Sequence, residues 1–136
     1  MSATKAPIPP SGVWDKTEAC RPQKGRFAAQ AEFLVWGVKG RMPGERGVGT
    51  LPGVFRHRVE PPGVKLHMTG KPIALMEQVL KIVEPGGCVL DPFAGSGSTL
   101  LAARNIGLGY VGIEASAEYH RVALARLQKP REESRS

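Results

Sequence analysis

One segment, VLDPFAGSGST at residues 89–99, constrains the fold more than any other part of the chain. It lies between an apolar run typical of a strand, Cys88 to Leu90, and a helical pattern from about Ser98 to Ile106. Small residues at the carboxyl end of a parallel strand let the backbone approach a ligand, and the helix that follows begins with free N–H donors. Ligands of open α/β sheets bind in crevices of this kind.

The chain downstream of this segment continues the alternation of strand and helix. A second strand pattern covers Tyr110 to Ile113, and a second helical pattern runs from Ala117 to about Leu127. This order predicts a parallel sheet covered by helices. Another helix is predicted upstream, with Thr69 or Gly70 as its N-terminal cap and Pro72 in its first turn. Its buried stripe is predicted to be Ile73, Met76, Val79, Leu80 and Val83.

The first half of the chain has weaker signals. We expect residues 1–12 to be disordered and two strands to follow, at Val13 to Lys16 and at Ala31 to Val38. Residues 37–63 hold seven glycines and four prolines, which predicts a long loop. The expected parts are therefore a strand pair with a basic Gly/Pro-rich loop over 13–66, a βαβα block over 67–128 and a disordered tail over 129–136.

All of the net positive charge lies in the first half. Residues 1–71 hold 12 Lys and Arg against 5 Asp and Glu, whereas residues 72–136 hold 7 of each, so the excess of 7 belongs to the first part. Basic loops bind nucleic acid by releasing the counterions condensed on phosphates. A solvated basic surface explains the same charge equally well, and both interpretations stay open.

Several classes of protein are excluded by composition. No stretch is long and apolar enough to cross a membrane, and the N-terminus lacks the apolar run of a secretory signal, so we expect a cytoplasmic protein. The cysteines, Cys20 and Cys88, give no metal-ligand spacing and no disulfide framework, and no metal site is predicted. Both tryptophans, Trp14 and Trp36, are expected to be core or packing residues and not base-stacking groups.

An acidic residue at the end of the second strand indicates the kind of ligand. Glu114 follows Gly95 by about 20 residues, the spacing at which an acid can accept hydrogen bonds from both ribose hydroxyls. The glycine pattern is not that of a dinucleotide site, and no Gly-Lys-Ser/Thr is present for a triphosphate. A loop that begins with Asp91 and contains no lysine suits a ribose-containing ligand with a cationic or neutral tail, a description that fits S-adenosylmethionine.

The motifs in this order resemble the C-terminal block of the N6-adenine and N4-cytosine DNA methyltransferases of the permuted beta type. The resemblance covers residues 67–127 and rests on His67-x-Thr69-x-Lys71-Pro72, on DPFxGSGST at 91–99, on Gly112-Ile113-Glu114 and on Glu118-Tyr119. The segments at 14–16, 21–27 and 31–37 are similar, less closely, to the stretch before the recognition region in phage-type members. The resemblance implies a partial Rossmann-like α/β fold that binds S-adenosylmethionine and acts on double-stranded DNA.

The resemblance also implies a set of cofactor-binding residues. Asp91, Phe93 and Gly95 would line the pocket, Thr69 and Lys71 would close over the methionine end, and Glu114 would hold the ribose. Taken singly, Phe93 is equally open to a role in the core, and Lys71 and Glu114 to roles as surface charges. The predicted set is Thr69, Lys71, Asp91, Phe93, Gly95, Ser96, Gly97, Thr99 and Glu114.

The motif that activates the target base is missing from these residues. In the family it is Asp, Asn or Ser followed by Pro-Pro and an aromatic residue, which accepts the amino hydrogens and stacks on the flipped base. The two Pro-Pro pairs, Ile8-Pro9-Pro10-Ser11 and Glu60-Pro61-Pro62-Gly63, do not match it. We therefore predict no catalytic residue and an incomplete parallel sheet. Neither cysteine follows a proline, which also argues against methylation of a ring carbon.

Three hypotheses follow. The first is a truncated or split member of the family, in which a separate polypeptide supplies the catalytic half. The second is a nucleic-acid-binding remnant without catalysis, and the third is a methyltransferase acting on RNA or a small molecule. Because an incomplete sheet exposes edges and apolar faces, we also expect the chain to self-associate.

Overall fold

The structure is a computed structural model, and it describes residues 10–20, 24–41, 45–59 and 71–130. The elements are, in chain order, strands β1 (Ser11–Asp15), β2 (Ala31–Val35) and β3 (Val54–Arg56), helix α1 (Ile73–Val79) with a 3-10 turn (Leu80–Ile82), strand β4 (Cys88–Asp91), helix α2 (Ser98–Asn105), strand β5 (Gly109–Gly112) and helix α3 (Ala117–Gln128). Within these residues, every helix is too short or too polar to cross a membrane.

The second half is the β4-α2-β5-α3 unit that the alternation predicts. Strands β4 and β5 pair in parallel, from Cys88 opposite Gly109 to Asp91 opposite Gly112. Helix α2 packs on this pair, and Gly112 allows it to lie close, because a Cβ atom there would come within 2.3 Å of the Leu100 side chain. Because the two strands are parallel, their carboxyl ends lie at the same edge of the sheet. The loop before α2 follows β4 there, and the loop before α3 follows β5.

The first half forms a three-stranded sheet in the order β2-β1-β3. β1 pairs antiparallel with β2 and parallel with β3. The expectation of a strand pair followed by a continuous loop is thus wrong, because β3 lies within residues 37–63. Ser11 and Gly12, expected to be disordered, belong to β1. Residues 1–9 and 131–136 lie outside the described residues, as do Thr69 and Gly70, the predicted helix caps.

Helix α1 joins the two sheets because two of its faces pack on two different apolar clusters. Leu75, exposed by 3%, packs with Trp14 and Phe55 of the first sheet. Leu80, in the 3-10 turn, packs with Val89 and with α2. The predicted stripe named Leu80 correctly and omitted Leu75, because the helix buries two faces instead of one.

None of the described helices covers the opposite side of either sheet. On the β4–β5 pair, Leu90 and Val111 are opposite each other and are exposed by 63% and 52%. On the first sheet, the outer face carries Phe33 and Val54, exposed by 75% and 62%, on either side of Val13. Parallel sheets are normally covered on both faces. The described residues thus form a sheet structure with one layer of helices, in agreement with the predicted incomplete sheet.

The two tryptophans differ in burial. Trp36 lies just after β2 and is 43% exposed, so of the two expected roles the core one is wrong for it. Trp14 is buried, and its indole N–H donates to the carbonyl of His57 at 2.8 Å. The two tryptophans differ because Trp14 lies on the inner face of the central strand, while Trp36 follows the last paired residue of an edge strand.

Candidate cofactor site

The glycine-rich segment forms a tight bend between β4 and α2. Asp91, the last residue of β4, accepts a hydrogen bond from the backbone N–H of Phe93 at 3.0 Å, which turns the chain out of the strand. The N–H of Gly97 then donates to the carbonyl of Ala94 at 2.8 Å and closes the turn before α2. Gly95 and Gly97 both have left-handed backbone conformations, with φ of 53° and 78°. Such conformations favour glycine because it has no Cβ.

The two glycines differ in what surrounds them. A Cβ atom on Gly97 would lie 2.9 Å from the Cβ of Ala123, so this glycine lets α3 pack directly against the bend. A Cβ atom on Gly95 would meet only the carbonyl oxygen of Phe93, at 4.0 Å, and would otherwise point into open space. Gly97 therefore serves packing, whereas Gly95 leaves an accessible backbone surface where a ligand can approach.

The Glu114 side chain is hydrogen-bonded to this bend. One carboxylate oxygen accepts the N–H of Gly95 at 2.7 Å, and the other accepts the N–H of Ser116 at 2.7 Å. Backbone bonds on the same side continue the parallel ladder past the strand ends, since the N–H of Ala94 donates to the carbonyl of Ile113 at 2.9 Å. The structure thus brings Glu114 into contact with the glycine-rich bend, as the spacing of about 20 residues between Gly95 and Glu114 predicts.

The Glu114 carboxylate is held in its ionised form. The N–H of Ser116, followed by the N–H of Gly95, donates to it and lowers its pKa from the ordinary value. An ionised carboxylate offers about four lone-pair positions, of which these two bonds use two. The remaining positions are available to hydroxyl groups of a ligand, such as the two of a ribose.

The other predicted residues lie along the same bend and in the first turn of α2. Phe93 is 88% exposed, which excludes the alternative that it is a core residue. Asp91 is half-buried at the start of the bend, and Thr99 lies in the first turn of α2. A bend that carries an exposed aromatic ring, an open glycine and a bonded carboxylate fits a ligand with both an apolar ring and hydroxyl groups.

Lys71 is not joined to this group by any contact within the described residues. Its ammonium group forms an ion pair with Glu32 of β2 and lies 5.0 Å from the centre of the Trp14 ring. Lys16 binds the same glutamate at 3.3 Å. The ion pair with Lys71 is the main reason that the pKa of Glu32 is lowered. Thr69, the other residue predicted for the methionine end, lies outside the described residues.

Sequence reasoning missed one residue that shapes the bend. Arg126, in the last turn of α3, donates to the carbonyl of Ser96 at 2.7 Å and to the hydroxyls of Ser96 and Ser98 at 3.1 and 3.3 Å. The side chain of Ser96 is therefore oriented by α3. The only local signal was a basic residue near a helix end, because the contact joins residues 30 positions apart.

The lowered pKa of Glu114 predicts a pH dependence of stability. Because the folded pKa lies below the unfolded one, the contribution is present at neutral pH and is lost as pH falls through the folded value. Replacing Glu114 by Gln removes this contribution. Urea unfolding followed by circular dichroism at about pH 7 and about pH 4 should show a smaller drop in stability for Glu114→Gln than for the unaltered chain.

Among the described residues, Asp15 and Glu32 also have lowered pKa values. Every carboxylate except Glu114 is the same in both proteins, so the difference between the two drops isolates Glu114. An equal drop in both proteins would mean that the carboxylate is not held by the bend.

The family model described as DNA methylase, that of the N6 and N4 methyltransferases, matches residues 8–125. The chain is 44% identical over 66 residues to YubD of Escherichia coli, named as a methylase, covering 48% of this chain and 29% of that protein. It is 40% identical over 67 residues to the type II methyltransferase M2.DpnII of Streptococcus pneumoniae, covering 48% of this chain and 25% of that protein.

Among solved structures, the complex of M1.HpyAVI with S-adenosylmethionine superimposes with a TM-score of 0.70 and 30% identity. The alignment covers 88% of this chain and 61% of that one, so the chain spans less than two thirds of each of these relatives. The expected α/β fold, a partial Rossmann-like methyltransferase fold, is thereby confirmed. Because the family model covers most of its length, the chain belongs to the N6 and N4 DNA methyltransferase family.

Proposed function

We propose that this chain binds S-adenosylmethionine in the bend between β4 and α2 and forms the cofactor-binding part of an enzyme that methylates an exocyclic amino group of adenine or cytosine in DNA. The observation that carries the proposal is the Glu114 carboxylate, fixed by the N–H of Gly95 at 2.7 Å with lone pairs to spare. The S-adenosylmethionine named in the M1.HpyAVI complex supports the choice of ligand.

Each residue of the bend has a role in this proposal. Glu114 accepts hydrogen bonds from the ribose hydroxyls, and Gly95 leaves room for the ligand beside the backbone. Phe93 provides an exposed ring for apolar contact with the cofactor, and Asp91 holds the bend in shape. When bound, S-adenosylmethionine supplies an electrophilic methyl group on its sulfonium.

Ser96, Gly97 and Thr99 support this arrangement. Ser96 is held by Arg126, and Gly97 lets α3 approach, so both fix the start of α2. Lys71 can close over the methionine end only by leaving Glu32 and Trp14, because its ammonium is engaged there. Thr69 completes the proposed set.

Neither Pro-Pro pair of the sequence matches the motif that activates the target base. We infer that another segment or a separate polypeptide supplies it and covers the free sheet faces. Leu90 and Val111, side by side on the β4–β5 pair and more than half exposed, support this role. Without such a partner, the same faces favour self-association.

Calorimetry with S-adenosylmethionine tests the cofactor site. We expect saturable binding by the unaltered chain and a loss of at least about tenfold in affinity for Glu114→Ala, since a lost charged hydrogen-bond acceptor costs about 1.5–3 kcal/mol. The matched control is Glu18→Ala, which removes the same charge from an exposed position in the first half of the chain.

The control should bind as the unaltered chain does. The proposal fails if the unaltered chain does not bind the cofactor although it is folded, or if the two variants bind equally well. Binding of DNA in the absence of any cofactor binding would support the hypothesis of a nucleic-acid-binding remnant instead.

Transfer of a tritiated methyl group to duplex DNA tests the inference that another segment or polypeptide supplies the activating motif. The chain alone should transfer none above background, because an exocyclic amino group is a poor nucleophile until its hydrogens are accepted by an activating motif. Methylation by the purified chain alone would contradict this inference, even if the cofactor binds as proposed.

A further inference from the structure

Asp15, at the end of β1, organises a second polar site on the first sheet. One of its carboxylate oxygens accepts the N–H of Thr17 at 2.8 Å and the amide of Gln30 at 3.2 Å. The other accepts Nε of Arg56 at 3.0 Å. These bonds lower the pKa of Asp15, with the N–H of Thr17 as the largest cause. The carboxylate therefore stays charged and fixes the direction of the Arg56 guanidinium.

The chain beside Asp15 holds a strained conformation. Thr17 has a φ of 62°, and it is the only residue other than glycine with a positive φ in the described part of the chain. A threonine in the left-handed region is unfavourable, and such residues cluster at ligand sites. The turn that it forms makes one wall of an open recess of about 460 Å³.

Two arginines also line this recess. It is lined by Thr17, Glu18, Ala19, Gln30, Arg56 and Arg58. Arg56 ends β3 and Arg58 follows two positions later, and both side chains line the recess. Asp15 occupies only Nε of Arg56. Among the described residues no bond involves the terminal nitrogens of Arg56 or the guanidinium of Arg58.

We propose that this recess binds a phosphodiester group of the DNA backbone through Arg56 and Arg58. Guanidinium groups match phosphate oxygens with two parallel hydrogen bonds, and Asp15 presets the orientation of one of them. The recess lies in the half of the chain that holds all of the excess positive charge. The choice of DNA as the source of the phosphate rests on the proposed function.

The proposed contact is with the DNA backbone, so it carries no information about base sequence. It adds affinity that depends on salt and positions the duplex, while reading of bases is left to other groups. Glu18 also lines the recess, and its negative charge opposes the binding of more than one phosphate, so one phosphodiester is the expected occupant.

Fluorescence anisotropy with a labelled 20-bp duplex (about two helical turns) over a range of KCl concentrations tests the proposal. For Arg58→Gln we expect affinity for two unrelated duplex sequences to fall equally, and the slope of log affinity against log salt to drop by about 1. Arg58→Lys should keep the slope and lose part of the affinity, because it retains the charge without the forked geometry. The matched control, Arg121→Gln on α3, should change neither quantity.

The proposal is overturned if Arg58→Gln behaves as Arg121→Gln does, with both variants melting at the same temperature as the unaltered chain. It is also overturned if inorganic phosphate at constant ionic strength displaces the duplex at low millimolar concentration, or if the variant weakens binding of single-stranded RNA and leaves duplex binding unchanged. Calorimetry with S-adenosylmethionine on Arg58→Gln separates the two proposals. If Arg58→Gln binds S-adenosylmethionine normally and DNA more weakly, the cofactor site and the phosphate site are both supported. If the substitution weakens DNA binding but neither protein binds the cofactor, only the phosphate site is supported.

Discussion

The hydrogen bond from the Gly95 N–H to the Glu114 carboxylate is the contact on which the second half of the structure depends. It ties the bend after β4 to the chain after β5, and the same carboxylate also accepts the N–H of Ser116 before α3. One charged group thus fixes two loops at the carboxyl ends of a parallel strand pair, where α/β sheets bind ligands. A bend that the protein's own hydrogen bonds hold in shape loses little conformational freedom when a ligand binds.

Local patterns were sufficient for the second half of the fold and insufficient for the first. Strands β4 and β5 and helices α2 and α3 each carry their own apolar periodicity and end at glycine or polar residues, so their bounds follow within a few positions. β3 has only three residues, set in a Gly/Pro-rich stretch, and exists because it pairs with β1 about 40 positions earlier. No local signal reports such a pairing.

The candidate site divides in the same way. The proximity of Glu114 to the bend could be predicted, because the ends of neighbouring parallel strands meet at one edge of a sheet. The position of Lys71 could not, since its partner Glu32 is 39 residues away on another sheet. Arg126 was missed for the same reason. The incomplete sheet was predicted from a missing catalytic motif, and its physical expression is the pair of exposed apolar faces opposite the helices.

The central claim is that the bend held by Glu114 is a cofactor pocket, and an NMR titration of the ¹⁵N-labelled chain with S-adenosylmethionine tests it most directly. The account predicts saturable shifts of backbone amides concentrated in residues 91–99 and 114–116, with the amides of Gly95 and Ser116 among those that move most, because both donate to the carboxylate that meets the ribose. Shifts confined to other parts of the chain, or no shifts at saturating ligand, would contradict it.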